Sequence, residues 1–233
     1  MAELPFETYP DVPQLQQSVT DQFCELAIAC VKANGVFRVS LSGGSTPKRV
    51  YEMLVERDLP WEKIHLFWGD ERNVPHDHDD SNFKMVRTAL LDQVSIPESN
   101  VHPVPVDPSN PDQAALQYEN TLREHFDSGF PKWDLVLLGM GDDAHTASLF
   151  PETKALDTDD RLFVENWVPK FDAYRYTMTY PAIESGEEIW FIITGAAKSE
   201  ALRQVISGPK NLAMFPSQRI NPTRWFVDSA AVA

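Results

Sequence analysis

Leu135-Val136-Leu137-Leu138-Gly139-Met140-Gly141-Asp142-Asp143-Ala144-His145 decides the architecture. Four consecutive apolar residues without polar alternation describe a strand covered on both faces, the kind that parallel sheets contain. The run stops at glycine, and a segment with two acids and a histidine follows. In open α/β sheets, ligands bind beyond the carboxyl ends of the strands. That segment is therefore a candidate site on position alone.

Working outward, the same alternation recurs. Leu15, Val19, Phe23, Leu26 and Cys30 fall at spacings of three and four, the stripe of an amphipathic helix, and Gly35 follows as its C-cap. Phe37–Leu41 reads as a strand, Ser42–Thr46 as a glycine loop, and Pro47, Val50, Tyr51 and Leu54 as the next helix. Ile64–Trp68 is another strand, ending in Gly69-Asp70-Glu71-Arg72, and a helix is expected from about Ser81 to Leu91. Ala115, Tyr118, Leu122 and Phe126 mark a further helix. Later strands are expected at Phe163–Val168, Tyr174–Thr179, Ile189–Thr194 and Trp225–Val227, with a helix from near Ala197 between the last two. Strands alternating with helices imply βαβ units, hence an α/β fold with a mostly parallel, Rossmann-like sheet between helical layers. The proline-rich stretch Val101–Pro111 is the best candidate boundary, but the alternation continues on both sides, so residues 1–233 read as a single domain.

Composition narrows the function. The 233 residues, 42% hydrophobic, suffice for a sizeable core. Lys and Arg number 20 against 35 Asp and Glu, a net charge of −15. Such a chain lacks the basic face that nucleic acid or an anionic membrane requires, so neither is expected as a partner. A small phosphorylated ligand, needing only a local cluster of donors, is still admitted. Two cysteines six apart in a helical pattern, Cys24 and Cys30, read as reduced thiols. No signal-peptide pattern opens the chain and no apolar run reaches transmembrane length, so a cytosolic location is expected.

Three polar clusters follow strand ends. Ser42-Gly43-Gly44-Ser45-Thr46 leads into a helix, where free N–H groups and hydroxyls can cradle an anion. It can equally be a turn with an N-cap. Gly139-x-Gly141-x-x-Ala144 matches a dinucleotide fingerprint. It lies past mid-chain, however, with acids where a pyrophosphate would sit, so no nicotinamide or flavin is expected. Asp143 and His145 are two apart: a carboxylate beside an imidazole fixes its tautomer and makes it a better general base, although an acidic surface loop also produces such pairs. Arg72, Arg175 and Lys198 are candidate anion ligands or surface ion-pair partners. His76-Asp77-His78-Asp79-Asp80 has a metal-like His-x-His spacing, but its polar flanks suit a solvated acidic loop, and no metal is expected there.

Leu41-Ser42-Gly43-Gly44-Ser45-Thr46-Pro47, Trp68-Gly69-Asp70-Glu71-Arg72, Gly139 through Pro151 and Gly195-Ala196-Ala197-Lys198 occur in this order. Together they resemble the 6-phosphogluconolactonase family, in the superfamily shared with glucosamine-6-phosphate deaminase, over roughly residues 10 to 228. The resemblance implies a three-layer, sugar-phosphate isomerase-like α/β fold and hydrolysis of 6-phospho-D-glucono-1,5-lactone, a step of the oxidative pentose phosphate pathway. It implies His145 as general base, Asp143 orienting it, and a substrate site of Ser42, Gly43, Gly44, Ser45, Thr46, Asp70, Arg72, Arg175 and Lys198. It implies no metal and no organic cofactor, with a phosphosugar lactone as partner and a monomer or weak homo-oligomer. Its rivals are deamination of glucosamine-6-phosphate on the same fold and phosphosugar sensing without turnover. Two departures stand out. The family commonly has glycine where this chain has Ala144, a residue that tolerates positive φ poorly. The deaminases carry an acid five positions after the motif histidine, before a proline, where this chain has Phe150 and Pro151.

Overall fold

The computed structural model describes residues 6, 8–126 and 129–233. In chain order its elements are β1 (Thr8–Tyr9), α1 (Val12–Asn34), β2 (Phe37–Leu41), α2 (Ser45–Leu54), β3 (Ile64–Trp68), β4 (Asp70–Arg72), α3 (Asn82–Ala89), β5 (Val101–His102), α4 (Pro111–His125), β6 (Leu135–Leu138), β7 (Phe163–Val168), β8 (Ala173–Met178), α5 (Tyr180–Glu184), β9 (Ile189–Ile193), α6 (Ser199–Ser207) and β10 (Arg224–Asp228). Seven strands form the main sheet in the order β1-β10-β9-β6-β2-β3-β5, and every pairing in it is parallel.

Local chemistry explains the elements. Asp11 caps α1 by accepting from the Gln14 N–H at 2.9 Å, and Gly35, at φ 78°, ends it by donating to the Val31 carbonyl. Leu15, Val19, Phe23 and Ala27 are its fully buried stripe, while Leu26 and Cys30 lie at the margin. Phe23 meets Phe37 of β2 edge-on at 5.4 Å, which seats α1 on the face bearing Phe37, Val39 and Leu41. The opposite face, bearing Phe67 of β3, is covered by α4: Phe126, just past its end, packs 5.7 Å from Phe67. The sheet is thus the middle of three layers, its apolar residues buried on both sides.

One outcome differs from the sequence expectation. Phe163–Val168 and the strand at 173–178 are strands, but they belong to a separate antiparallel sheet of order β4-β8-β7. Only a single 3-10 turn, Pro169–Phe171, separates β7 from β8, and without a long crossover the chain returns antiparallel. The polar cluster Asp70–Arg72 forms β4, the third strand of that sheet. At the start of the proline-rich stretch, Val101 and His102 add the edge strand β5 to the main sheet.

Glu119 of α4 joins the layers. Its carboxylate is buried, accepts from Arg123 at 2.6 Å and from the Leu162 N–H at 3.0 Å, and pairs with Arg161. Burial alone would raise its pKa, but the bonds from Arg161, Leu162 and Arg123 outweigh burial and hold it below the ordinary value. A carboxyl with a depressed folded pKa stabilises the protein above its unfolded pKa, and this is lost as pH falls through the folded value. Glu119→Gln should therefore cost about 2–3 kcal/mol at neutral pH, with the gap to wild type closing below about pH 4. Urea unfolding across that range tests it, and an equal gap at both ends would contradict it.

Candidate active site

β2 has β3 on one side and β6 on the other, so crossovers depart in opposite directions and the carboxyl ends of β2 and β6 diverge. A cleft of about 280 Å³ opens there, lined by the loops after both strands. After β2, Ser42 is pinned by Tyr51, whose buried hydroxyl accepts from the Ser42 N–H at 3.1 Å and donates to its carbonyl at 2.8 Å. Gly43 must be glycine: a Cβ would stand 2.1 Å from Oδ1 of Asn82. Gly44, at φ 105°, then turns the chain into α2. The Ser42 Oγ is buried and has no hydrogen-bond partner among the described residues. An unsatisfied hydroxyl of this kind costs about 1–3 kcal/mol, which a ligand hydroxyl or phosphate oxygen in the cleft would offset.

After β6 the loop is built around His145. The Gly141 N–H donates to the His145 carbonyl at 2.8 Å, and Ala144 takes the left-handed conformation, φ 61°. Alanine pays strain there. Its carbonyl is held by Ser217, through the N–H at 3.0 Å and the hydroxyl at 2.7 Å. Ala144 thus sits in the left-handed region with its carbonyl anchored by Ser217. His145 Nδ1 lies 2.5 Å from Oδ1 of Asp143, and the ring stacks on Phe150 at 3.9 Å. Lys170, from the β7–β8 hairpin, contacts the other Asp143 oxygen at 2.9 Å and Asp142 at 3.3 Å. Burial alone would raise the Asp143 pKa; the bonds from His145 and Lys170 hold it well below the carboxylate range. An ionised Asp143 only accepts, so Nδ1 carries the proton, and in the neutral form of the ring Nε2 keeps a lone pair.

The cations arrive from both sheets. β4 and β8 pair Arg72 directly with Arg175. Burial and Arg72 push the Arg175 pKa down, and its guanidinium lies 5.1 Å over Phe171. Arg72 and Lys198 line the cleft with Ser42, Gly43, Gly44, Asp70 and His145, so seven of the expected site residues share one cavity. Asp143 stands behind His145. Ser45 lines a neighbouring depression with Lys48 and Lys84, and Thr46 bonds Thr194 at 2.7 Å. Asp70 is buried, its oxygens taken by Ser148 at 2.8 Å and Asn82 at 3.3 Å.

Three residues of the site escape a reading of the sequence. Asn82 fills the space over Gly43. Glu71, beneath it, accepts from the N–H groups of Arg72, Asn82 and Phe83 at 2.7, 2.7 and 2.8 Å, and so caps α3 from another strand. Lys170 reaches Asp143 across 27 residues. Each acts through tertiary contact, and only the Trp68–Arg72 motif hinted at one of them. His76 bonds the Val104 carbonyl at 2.8 Å, while His78 is exposed beside Asp80. Among the described residues, the one three-member cluster with metal-ligand spacing is His65, His102 and His125, outside this cleft.

A doubly wound α/β enzyme, with an imidazole–carboxylate pair and cations converging at the topological switch point, is the class that fold and site define. The profile described as glucosamine-6-phosphate isomerases/6-phosphogluconolactonase matches residues 10–228. The chain belongs to that family, and is a hydrolase of its lactonase branch. It is 46% identical to the 6-phosphogluconolactonase of Nostoc sp., over 97% of this chain and 96% of the relative. It is 43% identical to that of Synechocystis sp., over 94% and 97%. The crystal structure of 6-phosphogluconolactonase from Thermotoga maritima superposes with a TM-score of 0.83 at 30% identity, covering 96% of this chain and 98% of that one. Among the described residues, no helix is long and apolar enough to cross a membrane.

Gly141 gives the geometry a sharp test. A Cβ there would stand 2.0 Å from His145 Nδ1 and 2.6 Å from Asp143 Oδ1. A crystal structure of Gly141→Ala should show the imidazole displaced from Asp143 in an otherwise unchanged fold. An intact 143–145 contact in that variant would contradict this reading of the loop.

Proposed function

We propose that the protein hydrolyses 6-phospho-D-glucono-1,5-lactone to 6-phosphogluconate, with His145 as general base. The observation that carries this is the Asp143–His145 pair in the same cleft as Arg72, Lys198 and an unpartnered Ser42 hydroxyl. Nε2 takes a proton from water as the water oxygen attacks the lactone carbonyl, and the resulting imidazolium is stabilised by Asp143. The tetrahedral oxyanion is met by positive charge and by free N–H groups of the glycine loop. Collapse breaks the bond to the ring oxygen, which takes the proton back from His145 as it leaves. Arg72, Lys198 and Arg175 supply the charge that phosphate and oxyanion need. No cofactor is called for, and the reading is of a cytosolic enzyme whose 233 residues act as one domain.

Phe150 speaks against the deaminase reading. Ring opening, proton migration between carbons and loss of ammonia call for a second acid–base group beside the histidine. Here a phenyl ring stacks on the imidazole instead, shielding it from water and exchanging no protons. Single-step hydrolysis tolerates that wall. The cleft's pre-set base likewise argues for turnover over sensing.

His145→Ala should lower kcat for the phosphorylated lactone by about 10²–10⁴ with folding retained, after subtracting spontaneous hydrolysis. The unphosphorylated lactone should be poorer in kcat/KM by about a hundredfold or more, having lost two charge-assisted contacts. No ammonia should be released from glucosamine-6-phosphate. Near-wild-type turnover by the folded variant, equal use of both lactones, or ammonia release above a boiled control would each overturn the assignment.

A further inference from the structure

Away from the cleft, on the face covered by α4, three imidazoles converge. His65 lies at the second position of β3, His102 ends β5, and His125 ends α4. The parallel register sets Phe67 opposite His102 and Arg38 opposite His65, so neighbouring strands bring Arg38, His65, Phe67 and His102 onto one face. His65 Nδ1 lies 3.1 Å from His102 Nε2, and one ligand nitrogen from each of the three rings falls within 4.8 Å of the others. Two of the rings share an aromatic neighbour: His102 stacks on Phe67 at 4.3 Å, and His125 stands edge-on to Phe67 at 4.9 Å.

We propose that His65, His102 and His125 bind one borderline divalent transition-metal ion of the Zn²⁺ class, tying edge strand β5 and the end of α4 to β3. Two observations support it. Two nitrogens on a tetrahedral zinc, each about 2.0–2.1 Å from the metal, are roughly 3.3 Å apart, so the His65–His102 spacing already suits a shared ion. The third nitrogen needs only a side-chain adjustment. All three rings are partly exposed, leaving solvent access for the metal and for a water as fourth ligand.

Arg38 opposes the ion. Its Nε donates to His125 Nε2 at 3.3 Å, and its guanidinium rests 5.7 Å over Phe126. Occupancy therefore requires Arg38 to swing out or His125 to use its other nitrogen. That makes the site specific in a testable way, since removing the guanidinium while keeping its apolar stem should tighten binding.

Calorimetric titration of ZnCl₂ into chelator-stripped protein at neutral pH tests the proposal. Saturation at one ion per chain with Kd at or below about 10 µM is expected, with Tm raised by the metal through mass action. His102→Ala and, in case that variant fails to fold, His65→Gln should each weaken binding by about tenfold or more, and Arg38→Met should strengthen it. His78→Ala and His145→Ala should leave it unchanged. No saturable binding below about 100 µM, or binding that survives both His65→Gln and His102→Ala, would overturn the proposal.

Discussion

Gly69, between β3 and β4, hydrogen-bonds to a strand of each sheet. Its N–H donates to the Leu41 carbonyl of β2 at 2.9 Å, and its carbonyl accepts from the Met178 N–H of β8 at 2.8 Å. A Cβ there would meet Ser40 Oγ at 3.1 Å and the Met178 methyl at 3.4 Å, so the chain passes from β3 into β4 through a tight gap between side chains. This single hinge fixes the small antiparallel sheet over the divergence of β2 and β6. The small sheet in turn carries Arg72, Arg175 and the hairpin that presents Lys170. Without that coupling, the glycine loop and the histidine loop would share a crevice, but the cations and the clamp on Asp143 would have no fixed address.

Around the hinge, polar groups that the turning backbone strands are taken up by buried side chains. Tyr51 satisfies Ser42, and Tyr118 donates toward the carbonyls of Trp68 and His102 while accepting from the Trp68 N–H. Burial drives both phenols well above their ordinary pKa, so they act as neutral two-way bridges. Glu71 does the same for the start of α3. The cleft keeps what these bridges leave over: the Ser42 hydroxyl, the cations, and one imidazole whose second nitrogen is uncommitted to Asp143. Rigidity is thus concentrated behind the reactive groups, which is how a site is held ready for a charge that develops only during reaction.

The central sheet was legible because its signals are local. The apolar run of β6, the stripe of α1 and the glycines after β2 and β6 each need only a few neighbouring residues to be read. His145 and Asp143 were legible for the same reason. What escaped was long-range. Nothing near Phe163 or Arg175 tells a strand of the main sheet from one in a second sheet, because both read as short apolar–polar runs. Lys170, Asn82 and Glu71 have no local mark, since their roles exist only once distant loops meet. The three-histidine cluster is the extreme case: its members are 37 and 23 residues apart, and only the register of β3 with β5 and the reach of α4 unite them.

The central claim is that Asp143, held by Lys170, keeps the His145 proton on Nδ1 and so leaves Nε2 as the base. Long-range ¹H–¹⁵N correlation spectra of the imidazole report that tautomer directly. In the neutral form of the ring, His145 should show a protonated Nδ1 and an unprotonated Nε2, with the Nε2 signal shifting when 6-phosphogluconate fills the cleft. A neutral ring with its proton on Nε2 in the folded, unliganded protein would contradict the account.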